Sequence, residues 1–168
     1  MRAARLFVYD KPLKIVDVDV PRVKSSTEVL VRITGAGVCH TDLHIVEGVW
    51  TEKVQPSLPY TLGHENAGLV KEIGQDVTAV KEGDRVILHP VVTDGLCRPC
   101  RIGEDMHCEN LVFPGITADG GFAEYLLTSE RSLVNIHDLK PADVAPLADA
   151  GLTAIRAVKK AASRTTSG

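Results

Sequence analysis

Residues 63–77 read G-H-E-N-A-G-L-V-K-E-I-G-Q-D-V. Inside this stretch, Gly68 to Ile73 is a short apolar run ended by a glycine, and it predicts a strand. Similar runs recur on both sides, separated by Gly, Pro and Asp. Arg2 to Tyr9 and Leu13 to Val20 precede it. In Glu28 to Thr34 the alternation places Val29, Val31 and Ile33 on one face. Arg85 to His89, Gly121 to Leu127 and Ser132 to Ile136 follow. Many short strands with turn signals between them point to a barrel or sandwich. Helical signals are few. Thr41 to Val46 reads as a brief helix capped by Thr41 or Asp42, and Pro141 to Leu147 as another. Gly151 to Ala162 is longer, with Leu152, Ile155 and Val158 at spacing three and Lys159 and Lys160 near its C-terminus. The last residues, 163–168, read as a disordered tail.

Composition bounds the function. The chain has 168 residues, enough for one domain with a core. A formal net charge of -3 leaves no basic excess for neutralising phosphates, and 4% aromatics gives no base-stacking platform. Nucleic acid is therefore not an expected partner. No stretch reaches the about 18 consecutive apolar residues of a membrane span. The N-terminus lacks the apolar core of a secretion signal. A cytoplasmic location is expected, where four cysteines point to metal rather than disulfides.

The potential ligands fall into two groups. Asp94, Cys97, Cys100 and Cys108 crowd into D-G-L-C-R-P-C-R-I-G-E-D-M-H-C. A C-x-x-C turn puts two thiolates on one side of a knuckle, and a tetrahedral zinc ion takes two more ligands from nearby chain. Four protein ligands close such a site, so it stabilises a lobe over residues 94–108. The oxygen donor Asp94 is the unusual member, and His107 is the alternative fourth ligand. Cys39 and His64 form the second group. They lie too far apart for a knuckle and fit a site assembled in a cleft.

These residues sit in motifs that resemble the zinc-containing, medium-chain alcohol dehydrogenases. Residues 63–77 are similar to that family's G-H-E-x-x-G-x5-G-x2-V signature. G-V-C-H-T-D-L-H at 37–44 resembles its catalytic cysteine segment. V-K-E-G-D-R-V at 80–86 and D-G-G-F-A-E-Y at 119–125 follow in the expected order, and P-L-A-D-A-G-L-T-A at 146–154 resembles the segment giving a third ligand. The resemblance covers nearly the whole chain. It implies a mainly β fold with a few helices over residues 1–162: a GroES-like β-barrel with a zinc-bound lobe.

Carried onto this sequence, the resemblance implies two zinc ions per chain. Cys39, His64 and Asp149 would hold a catalytic zinc, with aspartate where many members carry cysteine. Asp94, Cys97, Cys100 and Cys108 would hold a structural one, with Asp94 replacing a cysteine. Glu65 would sit beside the catalytic zinc, and Asp42 would orient its histidine. Thr41 would bond the substrate hydroxyl, and His44 would end the proton relay. His40 would contact the cofactor pyrophosphate. Trp50 falls where the family lines its substrate pocket, although a lone tryptophan equally fits a core. The implied activity is reversible oxidation of a primary or secondary alcohol to an aldehyde or ketone, with NAD(P) taking the hydride. No G-x-G-x-x-G follows the last helix, so the nucleotide-binding domain and the usual dimer interface are expected to be absent from this sequence. A non-catalytic zinc-stabilised module and a zinc-hydroxide hydrolase or hydratase stand as alternatives.

Overall fold

The computed structural model describes residues 1–49 and 57–165, with side chains to residue 162. Among the described residues, eight strands form two antiparallel sheets. The smaller has the order β2-β1-β4, from β1 (Arg2–Leu6), β2 (Lys14–Asp17) and β4 (Tyr60–Thr61). The larger has the order β7-β3-β5-β6-β8. It comprises β3 (Glu28–Gly37), β5 (Glu65–Ile73), β6 (Arg85–Leu88), β7 (Tyr125–Ser129) and β8 (Leu133–Asn135). An isolated bridge between Ala3 and Ala123 links the sheets, with Ala4 N–H donating to the Phe122 carbonyl. The fold is mainly β, as expected, but the sheets do not close into a continuous barrel among the described residues.

The alternation in β3 sets the main core. Val29 and Val31 are fully buried and meet Val70, Val86, Leu88 and Leu126 from the neighbouring strands. A second cluster, Leu6, Ile45, Tyr60, Leu62 and Ile116, fills the region under helix α1 (His40–Val46). Ala67 and Ile136 pack with Val144 and Ala145, which hold short helix α3 (Pro141–Val144) against the large sheet. Gly35 is required there, because a β-carbon would come within 2.6 Å of Ala142 Cα.

Several boundaries differ from the sequence reading. The first strand stops at Leu6 because the chain turns at Asp10, where φ is 56° and the amide bonds to the Val46 carbonyl. The strand expected over Gly121 to Leu127 begins instead at Tyr125. Its first residues bond elsewhere, since the amides of Gly120, Gly121 and Phe122 donate to the carbonyls of Thr61, Gly63 and Leu62. The cap of α1 is Cys39, rather than Thr41 or Asp42. The Pro141–Leu147 helix divides into α3 and a 3-10 turn at Ala145–Ala148. The final helix, α4, runs over Ala150–Thr165 and so takes in residues assigned to the tail. A short helix α2 (Arg98–Arg101) lies in the cysteine-rich lobe. No helix among the described residues is long and apolar enough to cross a membrane.

Candidate metal centres

Register brings the dispersed ligands together. Gly37, the last residue of β3, pairs with Glu65, the first of β5. Cys39 lies two residues beyond that pair and His64 one residue before it. Two ligands distant in sequence therefore leave the same end of one strand pair. Asp149 reaches them from the start of α4, where the Ala150 amide donates to Glu65 Oε1 at 3.0 Å. The ligand atoms of Cys39, His64 and Asp149 lie within 4.8 Å of one another.

His64 is the centre of this site. Its side chain is fully buried, with Nδ1 at 3.4 Å from Asp42 Oδ1 and Nε2 at 3.3 Å from Asp149 Oδ2. Among the described residues neither ring nitrogen makes a well-formed hydrogen bond, and the two carboxylate oxygens stand only at contact distance. Buried polar atoms without partners are costly, and a metal at Nε2 would satisfy one of them. The donor set of thiolate, imidazole and carboxylate is the one zinc takes, and three protein ligands leave a fourth position open. Asp42 is itself buried and accepts from the amides of Cys39 (2.9 Å) and Gly63 (3.3 Å). It thereby ties both ligand segments to one carboxylate. In the metal-free chain, burial pulls the His64 pKa down. Asp42 and Cys39 outweigh burial and raise it from 6.5 to about 9.

The remaining predicted residues distribute around this centre. Glu65 is buried against Gly37, where a β-carbon would come within 2.1 Å of Oε2. Its carboxylate serves the N-terminus of α4. Thr41 and His44 lie on α1, and the His40 and His44 rings meet edge-on at 4.4 Å. His40 is exposed. Trp50 lies outside the described residues.

The compact group also converges. Asp94, Cys97, Cys100 and Cys108 place one ligand atom each within 4.8 Å of the others. His107 is exposed and stands outside this set, which favours Asp94 as the fourth donor. A neck closes the lobe, where Val92 and Val112 exchange both backbone hydrogen bonds at 2.8 and 3.0 Å. Arg131 joins the lobe to the large sheet through Asp105 at 2.7 Å and Thr93 Oγ1 at 3.2 Å. Burial and the neighbouring Cys97 and Cys108 push the Cys100 thiol up to about 12. Crowded sulfurs of this kind cannot all ionise without a cation among them.

Comparison with known proteins agrees with this geometry. Residues 25–138 match the Alcohol dehydrogenase GroES-like domain. The chain belongs to this family. A D-arabinose 1-dehydrogenase (NADP(+)) of Saccharolobus solfataricus is 46% identical over 161 residues, covering 95% of this chain and 45% of that protein. An NAD-dependent alcohol dehydrogenase of Sulfolobus acidocaldarius is 40% identical over 96% of this chain and 48% of its own length. Among solved structures, an alcohol dehydrogenase of Aeropyrum pernix superposes with a TM-score of 0.92 at 59% identity, over 96% of this chain and 48% of that one. The chain thus spans about half the length of these GroES-like relatives.

Three contacts escaped the sequence reading. Glu65 caps α4, Arg131 braces the lobe, and Asn110 bonds to Asp94. The only local signal for Asn110 was its position two residues after Cys108.

Proposed function

We propose that this chain is the metal-bearing, substrate-activating part of a zinc-dependent alcohol dehydrogenase, which oxidises a primary or secondary alcohol to an aldehyde or ketone. Cys39, His64 and Asp149 hold the catalytic zinc, and Asp94, Cys97, Cys100 and Cys108 hold a structural one. The observation that carries this reading is the buried His64 Nε2, without a hydrogen-bond partner among the described residues and facing Asp149 beside the Cys39 thiol.

Bound there, zinc supplies Lewis acidity toward an alcohol or carbonyl oxygen, and a nicotinamide supplies the hydride acceptor. The rest falls to the chain's own side chains. Asp42 draws His64 Nδ1 toward it by an electrostatic contact at 3.4 Å, so that Nε2 faces the ligand cluster. Thr41 would accept the substrate hydroxyl proton as its own hydroxyl proton leaves toward His44, one turn along α1, whose imidazole would take it up and release it to solvent. Histidine is the side chain suited to taking up and releasing a proton near neutral pH. His40, on the exposed start of α1, meets the cofactor phosphates. Names of the relatives include both NAD and NADP(+), so either dinucleotide serves as acceptor in this proposal. Free thiols in both ligand sets suit a reducing compartment such as the cytoplasm.

The test uses the cobalt-loaded protein. Small alcohols and aldehydes should shift the visible bands of the Cys39 site, and Cys39→Ala should abolish that response. Alcohol with NAD+ or NADP+ should yield reduced nicotinamide only with Cys39 present. Bands unmoved by any oxygen ligand would overturn the reading in favour of a purely structural module. Cys39-dependent ester hydrolysis without nucleotide would overturn it in favour of hydrolysis.

A further inference from the structure

We propose that Asn110 is a positioning residue that holds the Asp94 carboxylate in its metal-binding orientation, so that the oxygen ligand and the amide form a matched pair. This rests on the reading of the lobe as a structural zinc site.

A thiolate offers one ligand atom at the end of a short stem. A carboxylate offers two oxygens and turns about its last bond, so it must be oriented to serve as a single ligand. Asp94 is oriented from both sides. Oδ1 accepts from the amides of Leu96 (2.8 Å) and Cys97 (3.1 Å), and Oδ2 accepts from Asn110 Nδ2 (2.7 Å). Only the NH2 end of an asparagine amide can face a carboxylate, which fixes its orientation. A carboxylate has about four acceptor positions. These three donors occupy three and leave one for a cation.

Asn110 also stands two residues after Cys108, the last ligand, toward whose sulfur the Asp94 amide points at 3.5 Å. One residue therefore links the first and last ligands of the cluster. The bond from the amide matters only because an oxygen donor stands at 94. A cysteine there would present no second oxygen to hold.

The experiment follows zinc release from the full chain into excess chelator, read with a colorimetric zinc indicator. Outer contacts to metal ligands typically change metal affinity by 10–100-fold. Asn110 is exposed, so Asn110→Ala should release the lobe zinc about 10-fold faster, at the low end of that range. Zinc at Cys39 and His64 should leave at its original rate, which also shows that the variant is folded. In an Asp94→Cys background the same asparagine change should alter release by no more than about twofold. Unchanged release in Asn110→Ala would overturn the proposal. So would equal acceleration with Cys at 94, since the amide would then act on the loop and not through the carboxylate. A wild-type protein that holds zinc only at Cys39 and His64, with all three lobe thiols open to a thiol reagent, would instead refute the lobe reading itself and remove the proposal with it.

Discussion

Removing the Asp42 carboxylate should damage stability and metal binding together. Three groups converge on it: the Cys39 amide at 2.9 Å, the Gly63 amide at 3.3 Å and His64 Nδ1 at 3.4 Å. Asp42 is 3% exposed, so water cannot easily take its place. Hydrogen bonds to a charged group contribute about 1.5–3 kcal/mol each. The longer Gly63 bond falls at the low end, and His64 Nδ1 adds an electrostatic contact and not a hydrogen bond. Against this, Asp42→Ala also relieves the cost of burying a carboxylate, but that relief is large only when the partner is removed as well. Breaking one side of a buried pair costs about 3–5 kcal/mol, and the same figure is expected here. Asp42→Asn keeps one oxygen for the backbone amides and should lose about half as much. With Nδ1 unsupported, metal affinity at Cys39 and His64 should fall about 10–100-fold. Urea denaturation of the zinc-free chain measures the first effect, and chelator competition the second. Stability within about 1 kcal/mol of wild type, with unaltered zinc retention, would refute the reasoning.

Gly37→Ala should cost about 1–3 kcal/mol by overpacking, because the new methyl group would meet Glu65 Oε2 at 2.1 Å. Zinc analysis should show loss at the Cys39 site alone. The His64 contribution to zinc-free stability should be full below pH 6.5, as long as Asp42 stays ionised, and be lost as pH rises through about 9, since folding raises the His64 pKa from the first value to the second. Zinc requires the neutral ring, so its affinity should climb across the same window; melting curves that stay flat between those values would contradict both statements. Cys100→Ser should release the lobe zinc and lower Tm while the Cys39 site stays loaded, as read by metal analysis before and after the substitution.

The legible parts of the molecule were those set by local pattern. Alternation in residues 28–34 located β3 and its buried valines, and the C-x-x-C turn located the lobe. Cys39 and His64 stood out only as a dispersed pair of ligand types, and Asp149 was legible only through resemblance to a family, because nothing in local spacing shows that Gly37 pairs with Glu65. The Gly121 error has a related cause. Its strand-like neighbourhood hides a glycine whose amide bonds to the Gly63 carbonyl and whose missing side chain admits Asn66, at 1.8 Å from where a β-carbon would stand. Strand β4 is two residues long and carries no periodicity. The three stabilising contacts of Asn110, Arg131 and Glu65 are all tertiary. Polar side chains of this kind fit a solvated surface equally well until the fold brings them to a partner.

Helix α4 and the Cys39 site act as one mechanical unit, and this too can be measured. Asp149 has two tasks. Oδ2 faces His64 Nε2 at 3.3 Å, while Oδ1 accepts from Thr153 Oγ1 at 3.3 Å and the Asp149 carbonyl accepts from the Thr153 amide at 2.8 Å. The next amide, of Ala150, is held by Glu65. A negative carboxylate at the start of a helix also favours its first turn through the helix dipole. A cation taken at Oδ2 would leave the Oδ1 contact in place and fix the carboxylate between them. Farther along, Leu152, Ile155 and Val158 are 45%, 57% and 69% exposed, so packing contributes little to the rest of the helix. Zinc should therefore slow hydrogen exchange at the amides of 150–153 and leave those beyond 158 unchanged. Protection spread evenly along α4, or none at its first turn, would show that Asp149 does not couple the metal to the helix.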